Sequence, residues 1–302
     1  MADSRATAHL PEPVGRPPGS RWAPLRAELR TGALPALVLA FAVAAVVSAR
    51  AAMLHGEAYA RGTAGTDATL ASLHTVTGAV NSAALHHASL LGLFFVASLT
   101  AVMVAGALEG GVWALLRLHE NRVWLLVARK LTVVTALAGG SLLLTAAVLW
   151  TVMWACRAMQ PPVAPPSREA AAGLVVDASG PGWEEVAPTV AAALLVLVVF
   201  AASSALAAAA TRAVIPAAVL GAAPLTVTLP LVTTEVRTWT PHYWIARWME
   251  FPDGGQWQLY WWSSAPSGGT AVAAGILVSL GVLATGAAWR VLRAERSLTP
   301  RT

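Results

Sequence analysis

Residues 186–234 read VAPTVAAALLVLVVFAASSALAAAATRAVIPAAVLGAAPLTVTLPLVTT, an apolar stretch whose only charged residue is Arg212. At about 1.5 Å per residue, a single helix of this length would far exceed the roughly 30 Å hydrocarbon core of a bilayer. The stretch must fold back on itself. Arg212 marks the turn of a tight hairpin, with one span at 186–211 and another at 213–234. Pro216, Pro224 and Pro230 lie in the second arm and each removes a backbone donor, so that arm is expected to be kinked or interrupted.

The chemistry of this stretch extends through the chain. Of its 302 residues, 57% are hydrophobic and only 12% charged, a composition outside that of soluble domains. Disorder through excess charge is excluded, and a single cysteine, Cys156, excludes an intrachain disulfide scaffold. Four further uncharged or nearly uncharged runs are long enough to cross a bilayer, at 33–54, 89–108, 131–156 and 270–289. Arg50 lies near the far end of the first, where its long side chain can snorkel to the headgroups. The reading is therefore an all-α polytopic membrane protein with six transmembrane helices. Residues 1–22 form a disordered Pro/Gly/Arg-rich tail, 23–293 a single transmembrane domain and 294–302 a second tail. No A-x-A cleavage site follows the first span, which reads as a permanent anchor.

The net charge of +5 resolves once it is divided by topology. Fourteen of the twenty basic residues fall in the segments that share a side with the termini and six fall opposite, which places both termini in the cytoplasm. The inner side then carries +8 and the outer −3. The charge is an orientation signal, and nucleic acid is not expected as a partner.

Two segments outside the spans have their own patterns. Before span one, Trp22, Leu25 and Leu29 share one helical face and Arg26 and Arg30 another, as in an amphipathic elbow helix lying in the inner interface. In the outer loop 235–269, Thr240 and Pro241 form an N-cap and first turn, and Pro252, Gly254 and Gly255 end the element. Tyr243 precedes a run in which Trp244, Trp248 and Phe251 recur at i, i+4 and i+7; Trp257, Tyr260, Trp261 and Trp262 follow. These rings read either as an aromatic belt anchoring an in-plane outer helix in membrane lipid, or as the border of a lateral gate for an amphipathic substrate.

Several chemistries lack their motifs. Lys130, the only lysine, is preceded by no glycine-rich loop, so the chain has no P-loop. Neither GxSxG nor HExxH occurs, and Glu184 and Glu185 lead to Thr189 where a glutamate-type intramembrane protease would have Arg. His86 and His87 are adjacent, which turns their rings apart on a helix, and no Cys or carboxylate stands at ligand spacing; they read as interfacial histidines. No charged residue falls mid-span, which disfavours ion-coupled transport. No catalytic, cofactor-binding or metal-binding residue is expected in this chain.

Three passages resemble the permease subunits of ABC type-2 exporters, in particular the six-span actinobacterial form. Leu25-Arg26-Ala27-Glu28-Leu29-Arg30 is similar to the helix these subunits place before span one. Glu109-Gly110-Gly111, then Leu115, Leu116, Arg117, Arg122 and Lys130, resembles their cytoplasmic stretch between spans two and three. Thr240 to Met249 resembles their aromatic outer segment. The resemblance covers roughly residues 22–293, with departures at Val112, where the family often has Thr, and at His119 and Glu120, where its turn usually contains Pro. It implies a non-catalytic membrane subunit driven by Mg-ATP hydrolysis in a separate cytosolic ATPase. Glu109, Trp113, Arg117, Glu120 and Arg122 would dock that ATPase. A second permease copy or a related permease would complete an apolar pathway lined by spans one, two and five, with Thr226, Thr228, Thr233 and Thr234 as its polar groups. The alternative reading is a membrane scaffold or sensor that binds a partner through the outer aromatic loop.

Overall fold

The computed structural model describes residues 23–62, 68–119, 122–159, 180–228, 231, 238, 240–249 and 270–294. These residues are all-α. The long helix α1 (Ala23–Ala60) is followed by the short α2 (Ala68–Leu73) and α3 (Val76–His87). A bent element comes next: α4 (Leu90–Thr100), a π-helical turn (Ala101–Ala105) and α5 (Gly106–Glu109). After it come α6 (Val112–His119), α7 (Val123–Met159), α8 (Trp183–Thr211), α9 (Val214–Thr228), α10 (Pro241–Met249) and α11 (Thr270–Ala294). Helix is the only open element that satisfies its own backbone in hydrocarbon, and the Ala, Leu and Val runs offer nothing that competes with it.

Five stretches are long and apolar enough to cross a membrane: Glu28–Ala60, Leu90–Glu109, Val123–Met159, Trp183–Thr211 and Ala271–Arg293. The expected sixth, 213–234, differs. Its helix α9 has 15 residues, about 22 Å at 1.5 Å per residue, which is short of a bilayer core. Pro224 lies inside α9, and Pro230, with most of the remainder of the expected span, lies outside the described residues.

Helix α8 is central, packing on α11, α9, α3, α4 and α7, while α1 lies along α7. The hairpin between α8 and α9 turns at Arg212 as expected. Arg212 adopts a left-handed conformation (φ 58°), and its amide donates to the Ala208 carbonyl at 2.9 Å. At the other end of the bundle, the Trp248 indole on α10 donates to the Ala192 carbonyl on α8. Ala192 lies 19 residues before Thr211, about 28 Å along the helix. The chain therefore travels back along most of α8 between Val214 and Trp248.

Two expectations are corrected here. The elbow is not a separate helix, because α1 runs unbroken from Ala23 through the span. Arg26 and Arg30 are exposed as foreseen, but Glu28 is buried and Leu29 packs on the core. Likewise α7 begins at Val123, which takes Arg129 and Lys130 out of the inner loop and into a long helix. The segment 55–88, read from sequence as an outer loop, also holds α3, which packs against α7 and α8 and meets α4 at a corner formed by Ala88 and Ser89.

Gly92 sets the closeness of that corner. A β-carbon there would overlap the backbone of His87, whereas one at Gly140 on α7 would meet nothing within 4 Å. Gly92→Ala is expected to cost about 1–3 kcal/mol through overpacking. Gly140→Ala should be neutral or stabilising, since alanine is the better helix former. Thermal unfolding of the two variants in detergent checks the contrast.

Candidate functional site

The end of the bundle at the α8–α9 turn gathers most of the residues read as an ATPase contact. Helix α5 ends at Gly110 and Gly111, and Gly111 (φ 69°) takes a conformation that a side chain would strain, reversing the chain into α6. Glu109 Oε2 accepts the amide of Val214 at 3.1 Å, placing a negative charge at the N-terminus of α9 where the helix dipole favours it. Trp113 is buried in a cluster with Val123, Leu126 and Val127 of α7, Ala209 of α8 and Ala288 and Leu292 of α11. Its indole nitrogen is buried without a hydrogen-bond partner among the described residues. Arg117 is half-buried on α6 and Arg122 is exposed at the start of α7. Glu120 lies outside the described residues. Glu109 thus meets the start of α9, and Trp113 joins a buried cluster drawn from the ends of α7, α8 and α11.

Beside it lies an ion pair that sequence reasoning missed. Lys130 Nζ stands 3.9 Å from Glu28 Oε2, and both side chains are buried between α1 and α7. Both oxygens of Glu28 lack a hydrogen-bond partner among the described residues, and Lys130 is the cation paired with the carboxylate. The available signal was the only lysine of the chain at the mouth of a span, together with a glutamate in an otherwise cationic helix. Lys130→Met is expected to lose about 3–5 kcal/mol, because it strands a buried carboxylate. The double variant with Glu28→Leu should recover most of that loss, and unfolding midpoints of the single and double variants in one detergent measure the coupling.

The opposite half of the bundle contains a polar layer. His86 and His87 are buried rather than interfacial. Their Nδ1–H groups donate to the carbonyls of Ser82 (2.8 Å) and Ala83 (2.9 Å). This fixes the His87 tautomer and leaves Nε2 to accept from the Ser141 hydroxyl at 3.0 Å, midway along α7. Tertiary packing overrode the surface reading because α3 runs inward between α7 and α8. Nearer the end of α7, the rings of His55 and His74 meet edge to face at 5.7 Å, and the Trp150 indole donates to the His74 carbonyl at 3.2 Å. Among the described residues, no group of three or more His, Cys, Asp or Glu is placed to hold a metal ion.

Burial first, then Arg157 and His55, push the His74 imidazole below its ordinary value of 6.5, outweighing a backbone hydrogen bond at Met153. The unfolded chain therefore takes up this proton before the folded one does, and stability falls as the pH drops below about 6.5. Melting temperature should decline between about pH 8 and pH 5, more shallowly in His74→Gln than in the parent.

The outer aromatic segment is docked on the bundle rather than free. Thr240 Oγ1 accepts the Tyr243 amide at 3.3 Å, which is the N-cap read from the sequence. Tyr243 and Trp244 meet edge to face, the Trp244 indole donates to the Thr238 carbonyl, and Trp248 reaches α8 at Ala192. Phe251, Trp261 and Trp262 lie outside the described residues, as do Thr233 and Thr234. Thr226 and Thr228 are on α9, where their hydroxyls donate to carbonyls of their own helix. No protein-family model, curated protein or solved structure matches this chain. Its helical character and its five candidate membrane spans place it among multi-pass membrane proteins.

Proposed function

We propose that this chain is the permease subunit of an ATP-driven exporter similar to the ABC type-2 class, moving a hydrophobic or amphipathic substrate across the cytoplasmic membrane. The observation that supports this most is α6. It is a short amphipathic helix between two spans; its Trp113 belongs to a buried cluster with residues of α7, α8 and α11, and Glu109 just before it caps α9. A protein docked on α6 would sit beside the ends of several spans. This is what a subunit without its own P-loop needs if closure of a partner ATPase is to shift the balance between two packings of the spans.

In this reading the chain crosses the membrane six times, with α9 and the residues after it forming the fifth crossing, and both termini are cytoplasmic. The outward apolar faces of α1 (Leu34, Val38, Phe41) and α9 (Ile215, Val219, Val227) would meet a second permease copy or a related permease. The scaffold or sensor alternative needs a free outer aromatic surface, and the attachment of Trp248 to α8 speaks for anchoring instead.

The test is co-purification with the soluble P-loop ATPase encoded in the neighbouring reading frame. Arg117→Glu combined with Glu120→Arg should abolish co-purification while leaving the detergent-solubilised chain folded. Trp113→Ala should leave the ATPase bound but uncouple its hydrolysis from added amphiphiles. Unchanged binding by the charge-reversed chain, or a neighbourhood with no such ATPase, overturns the proposal.

A further inference from the structure

An apolar groove of about 330 Å³ opens sideways between α7, α8 and α11, away from the faces of α1 and α9 discussed above. Leu131 lines it from α7, Val198 and Ala202 from α8, and Val278, Val282 and Gly286 from α11. The volume lies at the small end of the roughly 300–1,000 Å³ seen in ligand pockets. Its lining is nevertheless drawn out along α11 over eight residues, about 12 Å at 1.5 Å per residue. A narrow, nearly unpolar strip of this kind suits a hydrocarbon chain better than a compact ring system.

Beyond the groove, α11 carries aromatic and cationic groups. Continuing along α11 from Gly286, positions three and seven residues on are Trp289 and Arg293, which remain on the same face of the helix. The Arg293 guanidinium stacks over the Trp289 ring at 5.3 Å, and Trp289 is part-buried against the cluster that holds Trp113. Arg293 and neighbouring Arg290 are exposed. An apolar slot, with an indole and exposed guanidinium groups one to two helical turns beyond it, forms the profile of a molecule with an acyl chain and an anionic head. Indoles favour the headgroup level, and arginines near a membrane surface attract anionic lipid.

We infer that the α7–α8–α11 groove is a binding site for an anionic phospholipid, with one acyl chain between Val198 and Val282 and the headgroup phosphate at Arg293. The inference does not depend on the exporter reading. It assigns to this face a resident lipid of the leaflet that Arg290 and Arg293 face.

The full chain is reconstituted into phosphatidylcholine vesicles containing either brominated-chain phosphatidylglycerol or brominated-chain phosphatidylcholine. The part of the tryptophan quenching that Trp289→Phe removes is then compared. The anionic lipid should quench Trp289 about fivefold more effectively at low mole fraction, the preference set by roughly 1 kcal/mol per surface cation. Arg293→Gln should bring the two lipids close to equality. Gly286→Leu adds a side chain where nothing lies within 4 Å, and should reduce quenching by both lipids by filling the groove. Gly275→Leu, equally open but outside the lining, should change neither. Equal quenching of the parent by the two lipids overturns the inference, as does full quenching of a folded Gly286→Leu chain. Should Gly286→Leu fail to fold, the Arg293→Gln arm decides alone. A disulfide-linked dimer of Gly286→Cys in a Cys156→Ala background, with no quenching by either lipid, assigns the groove to a second copy and refutes the lipid site.

Discussion

The constraint on which this structure depends is that a backbone amide in hydrocarbon must find its partner within the protein. It explains why nearly every described residue is helical, and also where the helices are allowed to stop. The break at Ala88 and Ser89 lies against α7 and α8, with the Ser89 hydroxyl bonded to the His86 carbonyl and the Leu93 amide returning to Ser89. The π-helical turn at Ala101–Ala105 is similarly enclosed, its buried residues packed with Ala205, Ala208 and Ala217. Irregular backbone occurs here where small side chains let neighbouring helices approach closely enough to exclude lipid.

The two ends of the bundle solve different problems. At the α6 end, Trp113 lies in a buried cluster with residues of three helices and a buried ion pair fastens α1 to α7. Breaking one partner of that pair strands a buried charge, which ties the two helices together. At the other end, histidine and serine side chains form hydrogen bonds inside the bundle, which orient groups without the cost of buried charge. The first arrangement suits transmission of force and the second suits a fixed polar layer.

How much of this was legible in the sequence varies with the distance of the deciding partner. The hairpin at Arg212 could be read because one charge in a long apolar stretch acts locally. The N-cap at Thr240 could be read for the same reason. The burial of Glu28 could not, since its neighbours Arg26 and Arg30 describe a surface helix and its counter-charge is about a hundred residues away. Helix α3 was hidden because its twelve residues are too few to register as a span. With α3 unseen, His86 and His87 were assigned to the interface. Glu109 and Trp113 were singled out from sequence, but that they reach α9 and α11 is a property of the packing alone.

The turn at Arg212 bears on how the chain is laid out. Only Arg212 and Ala213 separate α8 from α9. A link this short cannot span a distance: once α8 is in place, α9 must begin beside it, and the chain's later elements are placed from that start.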